Sequence, residues 1–361
     1  MTKKIIFSAG GTGGHIFPAI NLMKHFYGKG YKVLLVTDKR GNNFINNYSE
    51  FNSYVLKAGT PTDKNLLKKI FSFLVIFFSI IRSIFILKKE KPDLIFGFGG
   101  YVSFPISFSS KFFNLPLIIY ENNIVLGRAN KYLSRFSNKI LVAKKIKENF
   151  PKKDKIKTYQ VGSILDKDII NCPIYEKINN KEIFSILVLG GSQGAEIFGN
   201  IIPSVIKKIK DEGYKIEINQ QCSRGQKSKI VDFYEKNKIK NYDFEFDKNI
   251  LKLLLSSNLA ITRCGASTTA ELAHTLTPFI AVPIPYSIDN HQYLNAKFYE
   301  NKGCCWLLEQ NDFNTENLFN LIIEIIKNKK NLKKISENMK KEYSNNVYSD
   351  IENEIKEFIS R

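Results

Sequence analysis

Two glycine-rich turns, each set directly behind an apolar run, constrain this chain most. Lys4-Ile5-Ile6-Phe7-Ser8 leads into Gly10-Gly11-Thr12-Gly13-Gly14-His15, and Ile186-Leu187-Val188-Leu189 leads into Gly190-Gly191-Ser192-Gln193-Gly194-Ala195. A strand, a glycine turn and a helix in succession leave backbone N–H groups bare at a helix N-terminus, where anions and above all phosphates bind. Glycine also permits tight strand-to-helix turns with no ligand at all. The repetition predicts two similar halves with a cleft between them.

At 361 residues the chain exceeds one ordinary core, and two domains are expected. Strand-like runs in the first half fall at residues 3–8, 32–37, 94–98, 117–120, 139–142 and 159–161. Helix-length segments separate them at 18–27, 65–89, 105–113 and 128–136. The second half repeats the alternation, with strands at 185–189, 215–219, 259–262, 279–282 and 305–308. Its helices are expected at 195–210, 250–256, 267–275 and 291–299, and residues 314–361 read as charged amphipathic helices. Short β-rich runs alternating with helices predict an α/β chain with two doubly wound parallel sheets. Ligands in such sheets bind beyond the carboxyl ends of the strands.

The glycine turns do not match other phosphate-binding patterns. A dinucleotide loop reads G-x-G-x-x-G, but Ile16 stands where its last glycine belongs; Asp38, closing the next strand, could still serve as a ribose-binding acid. A P-loop pattern is absent. Five cysteines without CxxC spacing and four scattered histidines give no zinc framework, and a reducing, cytoplasmic setting is expected. No secretory leader is expected, because the first apolar run ends in glycines. The net charge of +20 fits attraction to an anionic partner, nucleic acid or acidic membrane, and equally a Lys-rich coding bias.

Further motifs follow in order along nearly the whole chain. They are residues 10–18 (GGTGGHIFP), Gly99-Gly100-Tyr101-Val102-Ser103, Glu121-Asn122-Asn123 with Gly127 and Asn130, residues 190–195 (GGSQGA), residues 263–271 (RCGASTTAE), Pro283 and residues 289–296 (DNHQYLNA). Together they resemble the MurG-type family 28 glycosyltransferases, which add N-acetylglucosamine (GlcNAc) to lipid I, making lipid II of peptidoglycan. The resemblance implies the GT-B architecture, two Rossmann-like domains facing an interdomain cleft. It implies an acceptor and membrane domain at 1–162, with a C-terminal helix near 343–361 packed back on it, and a UDP-GlcNAc domain at 163–342. It also implies inverting transfer to the 4-hydroxyl of the lipid I sugar, no required cofactor or active-site metal, and a peripheral place on the cytoplasmic side of the inner membrane beside cell-wall synthesis proteins.

The chain departs from the family pattern at three places. Tyr120-Glu121-Asn122-Asn123 stands for the usual His-Glu-Gln-Asn, and Phe104 for a usual Gly. Gly162-Ser163-Ile164-Leu165-Asp166 stands for Gly-Asn-Pro-Val-Arg, whose Arg the family places near the donor diphosphate. Related GT-B enzymes, a diacylglycerol glucosyltransferase or a UDP-GlcNAc 2-epimerase, differ in acceptor: diacylglycerol or none. A basic nucleic-acid-binding protein is the reading from another class, and no helix-turn-helix or RNA-recognition signature supports it.

Transfer from UDP-GlcNAc builds negative charge on the departing diphosphate, so donors must be aimed there. Gly265-Ala266-Ser267-Thr268 opens a predicted helix whose amides and hydroxyls can bear that charge. Glu271, further along it, can accept from the ribose hydroxyls, a role the resemblance assigns. The resemblance also places Ser192 and Gln193 near the donor, Phe246 and Asp247 at the uracil, and Gln292, with Asp289, His291 and Asn295, at the GlcNAc hydroxyls. Thr12, Gly13, Gly14 and Asn123 are expected to touch the donor, and Gly13, Gly14, Tyr101 and Asn130 the acceptor. His15 is a candidate general base; binding the acceptor or capping the turn are its other readings. Glu121 is the rival base. His25 and His274 are expected to be structural.

Residues 70–87 (IFSFLVIFFSIIRSIFIL) would span about 27 Å as a helix, close to a bilayer core. Arg82 within the run, costing on the order of 3 kcal/mol at a bilayer centre, argues against a span. The run reads as a helix with one buried face and one apolar exposed face. Phe71, Phe77, Phe78, Ile81 and Phe85, extended by Phe112, would form an interfacial patch. Lys64, Lys68, Lys69, Lys88, Lys89 and Lys91 rim it and suit anionic lipid. An ordinary core helix is the other reading.

Overall fold

The computed structural model describes residues 2–11, 13–46, 48–59, 65–146, 152–173, 182–191, 195–247, 249–342 and 346–359. The chain divides into two compact units, Met1–Asp166 with Ser344–Arg361, and Lys167–Tyr343.

The first unit holds a parallel seven-stranded sheet of β1 (Lys4–Ser8), β2 (Lys32–Thr37), β3 (Asn52–Val55), β4 (Leu94–Gly97), β5 (Leu117–Glu121), β6 (Lys139–Val142) and β7 (Thr158–Gln160), in the order β3-β2-β1-β4-β5-β6-β7. Helices α1 (Gly13–Gly28), α2 (Lys39–Ile45), α3 (Leu66–Glu90), α4 (Ser103–Ser109) and α5 (Arg128–Leu133) fill the crossovers. Period-two alternation buries both faces. Ile6, Ile95, Ile119 and Ile140 join one core cluster, with Ile86 and Leu87 of α3 and Ile106 of α4. Phe7, Phe96, Phe98 and Tyr120 form an aromatic row, with Phe26 of α1 packed on Phe7. Strand β3 and helix α2 were not foreseen in the sequence, because the polar strand Asn-Ser-Tyr-Val is an edge that lacks an apolar run.

The second unit repeats the order with β8 (Phe184–Leu189), β9 (Ile216–Gln221), β10 (Lys240–Phe244), β11 (Leu259–Thr262), β12 (Phe279–Ala281) and β13 (Cys305–Leu307) as β10-β9-β8-β11-β12-β13, all parallel. Its helices are α6 (Lys167–Ile170), α7 (Glu196–Asp211), α8 (Lys227–Lys236), α9 (Ile250–Ser256), α10 (Ala266–His274), α11 (His291–Glu300), α12 (Thr315–Lys327) and α13 (Lys329–Met339). Ile186 and Val188 face a core with Phe198 and Ile202 of α7; Leu187 and Leu189 face the other, with Leu272 of α10 and Ala296 of α11. The mostly polar α8 escaped the sequence reading.

Side-chain bonds fix the limits of the first unit. The last helix, α14 (Val347–Ile359), joins it through Glu352, which binds Lys29 (2.7 Å) and the His25 imidazole, and through Glu354, held by Lys139 (2.9 Å). The Tyr348 ring stacks on His25, and its hydroxyl donates to Leu165 O (2.6 Å). Asp166 lies 3.5 Å from Lys24 of α1. The residue at the usual Arg position is thus an acid paired within its own unit. All five cysteines are buried and reduced.

Candidate active site

In a parallel sheet ordered 3-2-1-4, the order in which strands are added reverses between strands 1 and 4, so the loops after them diverge and leave a crevice. In the first unit these are the loops after β1 and β4, and glycine lets them touch. A Cβ on Gly10 would meet the Val102 side chain at 2.8 Å, and one on Gly100 would meet Gly10 O at 3.1 Å. Gly11, Gly99 and Gly100 have φ near +80°, a region that glycine adopts without strain. The half-buried His15 ring lies over the second loop, with Cε1 3.4 Å and Cδ2 3.6 Å from where Cβ atoms of Gly99 and Gly100 would stand. Gly13 and Gly14 open α1 beside it; Thr12 lies outside the described residues.

Glu121, at the end of β5, is 1% exposed and fully engaged. Oε1 accepts from the N and Nδ2 of Asn123, both at 3.0 Å, and Oε2 from Gly127 N (2.9 Å) and Asn130 Nδ2 (3.0 Å). Four donors on one carboxylate shape the 122–127 loop and leave little capacity to receive a substrate proton. The expected rival base thus has the geometry of a loop organiser. Asn123 is its partner, and Asn130, wholly buried, also donates to Tyr120 O (3.0 Å). Among the described residues, the buried Asn130 Oδ1 and Tyr101 hydroxyl have no hydrogen-bond partner.

The second unit places α10 directly after β11. Gly265 caps it in an extended conformation with no side-chain bond, and Thr269 N is the first amide to bond back, to Gly265 O (3.0 Å). The amides of Ala266, Ser267 and Thr268 therefore have no carbonyl inside the helix to reach, and the helix dipole makes that end positive. Glu271 is half-buried on the same helix. Ser192 and Gln193, after β8, lie outside the described residues. Phe246 is exposed, while the Asp247 carboxylate accepts from Tyr242 Oη (3.0 Å) and Asn249 N (2.6 Å).

Gln292 on α11 has its amide orientation set by the backbone. Its Oε1 accepts from Cys264 N (3.2 Å) and Ile284 N (3.1 Å), so the backbone takes up the oxygen and the NH2 points away from those two amides. Asn295 Nδ2 ties Cys264 O to the same helix (3.1 Å). Asp289 and Asn290, exposed ahead of α11, both adopt φ above +50°, and His291 opens the helix, half-buried. The sequence reading missed the work of Arg263. Its buried guanidinium donates to Val282 O (3.1 Å), Pro283 O (3.2 Å) and Gln310 Oε1 (2.6 Å), which braces the ends of β11 and β12. Burial lowers its pKa from the usual value. His274 is structural: its Nε2–H donates to Ile170 O (3.2 Å), and burial lowers its pKa. Among the described residues no three His, Cys, Asp or Glu side chains are grouped to hold a metal ion.

Helix α3 is long and apolar enough to cross a membrane by length and composition. Both its ends lead to strands of one sheet, which opposes a span. Phe71, Phe77, Phe78 and Phe85 are exposed, as is Phe112 beyond α4, and Leu66, Leu67, Ile70, Phe73 and Leu74 enlarge the surface. Ile81, expected in the patch, is half-buried instead. Two residues from each of the buried Ser79 and Ser83, it lies on the opposite side of the helix from them, the side that carries the exposed Phe77, Phe78 and Phe85. Lys68, Lys69, Lys88, Lys89 and Lys91 are exposed around the patch; Lys64 is outside the described residues.

The sequence matches the Glycosyltransferase family 28 N-terminal domain over residues 5–142 and the Glycosyltransferase family 28 C-terminal domain over residues 185–353. It is 35% identical to the UDP-N-acetylglucosamine–N-acetylmuramyl-(pentapeptide) pyrophosphoryl-undecaprenol N-acetylglucosamine transferase of Pelagibacter ubique, over 97% of each chain. It is 37% identical to the Rickettsia felis protein of the same description, over 94% of this chain and 95% of that one. The fold is similar to the crystal structure of Acinetobacter baumannii MurG, with a TM-score of 0.79 and 22% identity over 99% of this chain and all of the other.

Proposed function

The chain belongs to the family 28 glycosyltransferases, and from that premise we propose that it transfers GlcNAc from UDP-GlcNAc to the 4-hydroxyl of the lipid I sugar, giving lipid II and UDP. The observation that carries the reading is the N-terminus of α10, whose cap is a glycine directly after β11, beside a Gln292 amide oxygen held by Cys264 N and Ile284 N, in a chain 35% identical throughout to a transferase of that description. The acceptor hydroxyl attacks the anomeric carbon from the face opposite UDP; the C–O bond to the diphosphate breaks and the configuration inverts. The α10 amides, with the Ser267 and Thr268 hydroxyls, carry the charge that grows on the leaving diphosphate. Glu271 accepts from the ribose, and the Gln292 NH2 donates to a GlcNAc oxygen. Ser192, Gln193, Phe246 and Asp247 complete the nucleotide site.

In the first unit His15 takes the proton of the attacking hydroxyl, and the glycine amides beside it, with Tyr101, receive the acceptor. At the position of the family's diphosphate-facing Arg stands Asp166, which pairs with Lys24. The lysine-rimmed aromatic surface of α3 rests on an anionic membrane, the cytoplasmic face of the inner membrane, where lipid I is found. Cell-wall synthesis proteins are the expected neighbours.

The test is incubation with UDP-GlcNAc and a short-chain lipid I analogue in a membrane mimic, following UDP release. Release that requires lipid I, with none from diacylglycerol and no epimerised nucleotide sugar, is expected. A folded protein that releases no UDP under these conditions overturns the assignment.

A further inference from the structure

Asp38 follows β2 and is 8% exposed. Its two oxygens hold different parts of the first unit. Oδ1 accepts from Gly41 N at 2.7 Å and caps α2, while Oδ2 accepts from Gly11 N at 3.0 Å, in the first glycine loop. Gly41 is confined there, since a Cβ on it would stand 1.9 Å from Thr37 Oγ1. Arg40 Nη2 lies 3.6 Å from Oδ2, on the exposed side. The acid that the sequence offers as a ribose ligand is therefore turned toward the protein's own backbone.

Gly11 sits just ahead of α1, and His15 lies in the first turn of that helix. Holding the Gly11 N–H fixes a residue at φ +80° and, with it, the direction in which α1 leaves the loop. That direction decides where the His15 ring falls on Gly99 and Gly100. The bond also occupies the Gly11 N–H, so an anion at this loop is left the amides nearer α1.

We propose that Asp38 is a positioning residue for the transfer reaction, its carboxylate bridging Gly11 and Gly41 so that the first glycine loop holds His15 over the Gly99–Gly100 turn. The inference rests on the transferase reading above for its kinetic consequence, though not for its geometry. Asn at 38 offers one oxygen for two N–H groups and turns an NH2 toward one of them. Ser at 38 can still cap α2 but is too short to hold Gly11 as well.

The test compares Asp38→Asn and Asp38→Ser with the parent by kinetics and by the NMR signal of His15 Hε1, assigned by its loss in His15→Ala. Both variants are expected to lower kcat by about 10- to 100-fold, the penalty of a slightly misplaced catalytic group. The UDP-GlcNAc KM should stay within about twofold, as for an interaction outside donor binding, and the His15 signal should shift. Parental turnover in Asp38→Ser, an unmoved His15 signal, or a donor KM that rises as kcat falls overturns the inference. If the parent itself releases no UDP, the transferase reading fails, while the His15 signal still decides whether Asp38 holds the loop.

Discussion

The Tyr120 hydroxyl donates to Gly162 O at 3.0 Å and accepts the Ile164 N–H at 3.1 Å. Two departures from the family pattern, far apart in the chain, therefore meet. The strand end that carries Tyr in place of His holds the segment that lacks the usual Asn-Pro-Val-Arg. Tyr120→Phe leaves both backbone groups without this partner, and Ile164 is buried. A loss of about 1–3 kcal/mol is expected, the cost of a buried group left unsatisfied, read as a lower urea midpoint with an unchanged m-value. An unchanged midpoint would show that water replaces the phenol at no cost.

The two candidate bases separate by pH profile. His15→Ala should cut turnover far more than it changes UDP-GlcNAc affinity, and the rate limb that reports the imidazole should vanish. Glu121→Gln turns an amide NH2 toward at least one of four donors and disorders the 122–127 loop. Its rate should fall by about 10- to 100-fold through misplacement, with both limbs of the profile kept. Loss of a limb in Glu121→Gln alone would exchange the two roles.

Gln292→Glu keeps an oxygen for Cys264 N and Ile284 N but removes the two outward donors. The KM for UDP-GlcNAc should rise by about tenfold or more, as expected for a hydrogen bond lost to a polar substrate. Binding of UDP, which lacks the sugar, should be nearly unchanged by calorimetry. Equal weakening of both ligands would place Gln292 at the nucleotide instead.

Asp243 on β10 pairs in register with Gln220 on β9, and its buried oxygens have no hydrogen-bond partner among the described residues. Burial lifts its carboxyl to about 6, against a smaller opposite pull from Lys227. A folded-state pKa above the unfolded value of about 3.9 stabilises the fold fully below that pH, and the contribution is lost as pH rises through 6. Asn has no such dependence. Asp243→Asn is therefore expected to be more stable than the parent at pH 7.5, by about 1–2 kcal/mol after allowing for residual solvation. The gap should narrow at pH 5. Melting curves with a gap independent of pH would remove Asp243 as its source.

The α3 surface is tested with Phe77→Asp combined with Phe78→Asp. Both rings are exposed, so the melting temperature should hold within experimental scatter. Co-sedimentation with phosphatidylglycerol vesicles at low salt should fall by about tenfold or more, as two aromatic rings no longer leave water. Binding of the parent should itself weaken as salt rises, because the lysine rim is screened. Undiminished binding by the double variant would assign the membrane contact to another surface.

The parts of the site that were legible in the sequence are local. Gly10–Gly14 and Gly265–Thr268 each sit between a strand and a helix, and the consequence of that order, bare amides at a helix start, needs no distant residue. The apolar run of α3 was equally plain, but its inner face was not, since the residues that turn inward include Ser79 and Ser83. Both serines satisfy their hydroxyls on backbone carbonyls, of Lys57 and Ser79, which hydrophobicity cannot register.

The sequence by itself determined the alternation of strands and helices, the two doubly wound halves and the kinds of groups available for phosphate and sugar. The tertiary structure decided which of those groups meet. Asp38 became a brace for Gly11, Glu121 an organiser of its loop, Arg263 a support for β12, and Tyr120 the partner of Gly162. The physical reason is that strand order, not chain order, sets the neighbours at a sheet's carboxyl end. In the first unit it brings the loops after β1, β2 and β4 together across intervening helices. A carboxylate's role there depends on which N–H groups reach it first.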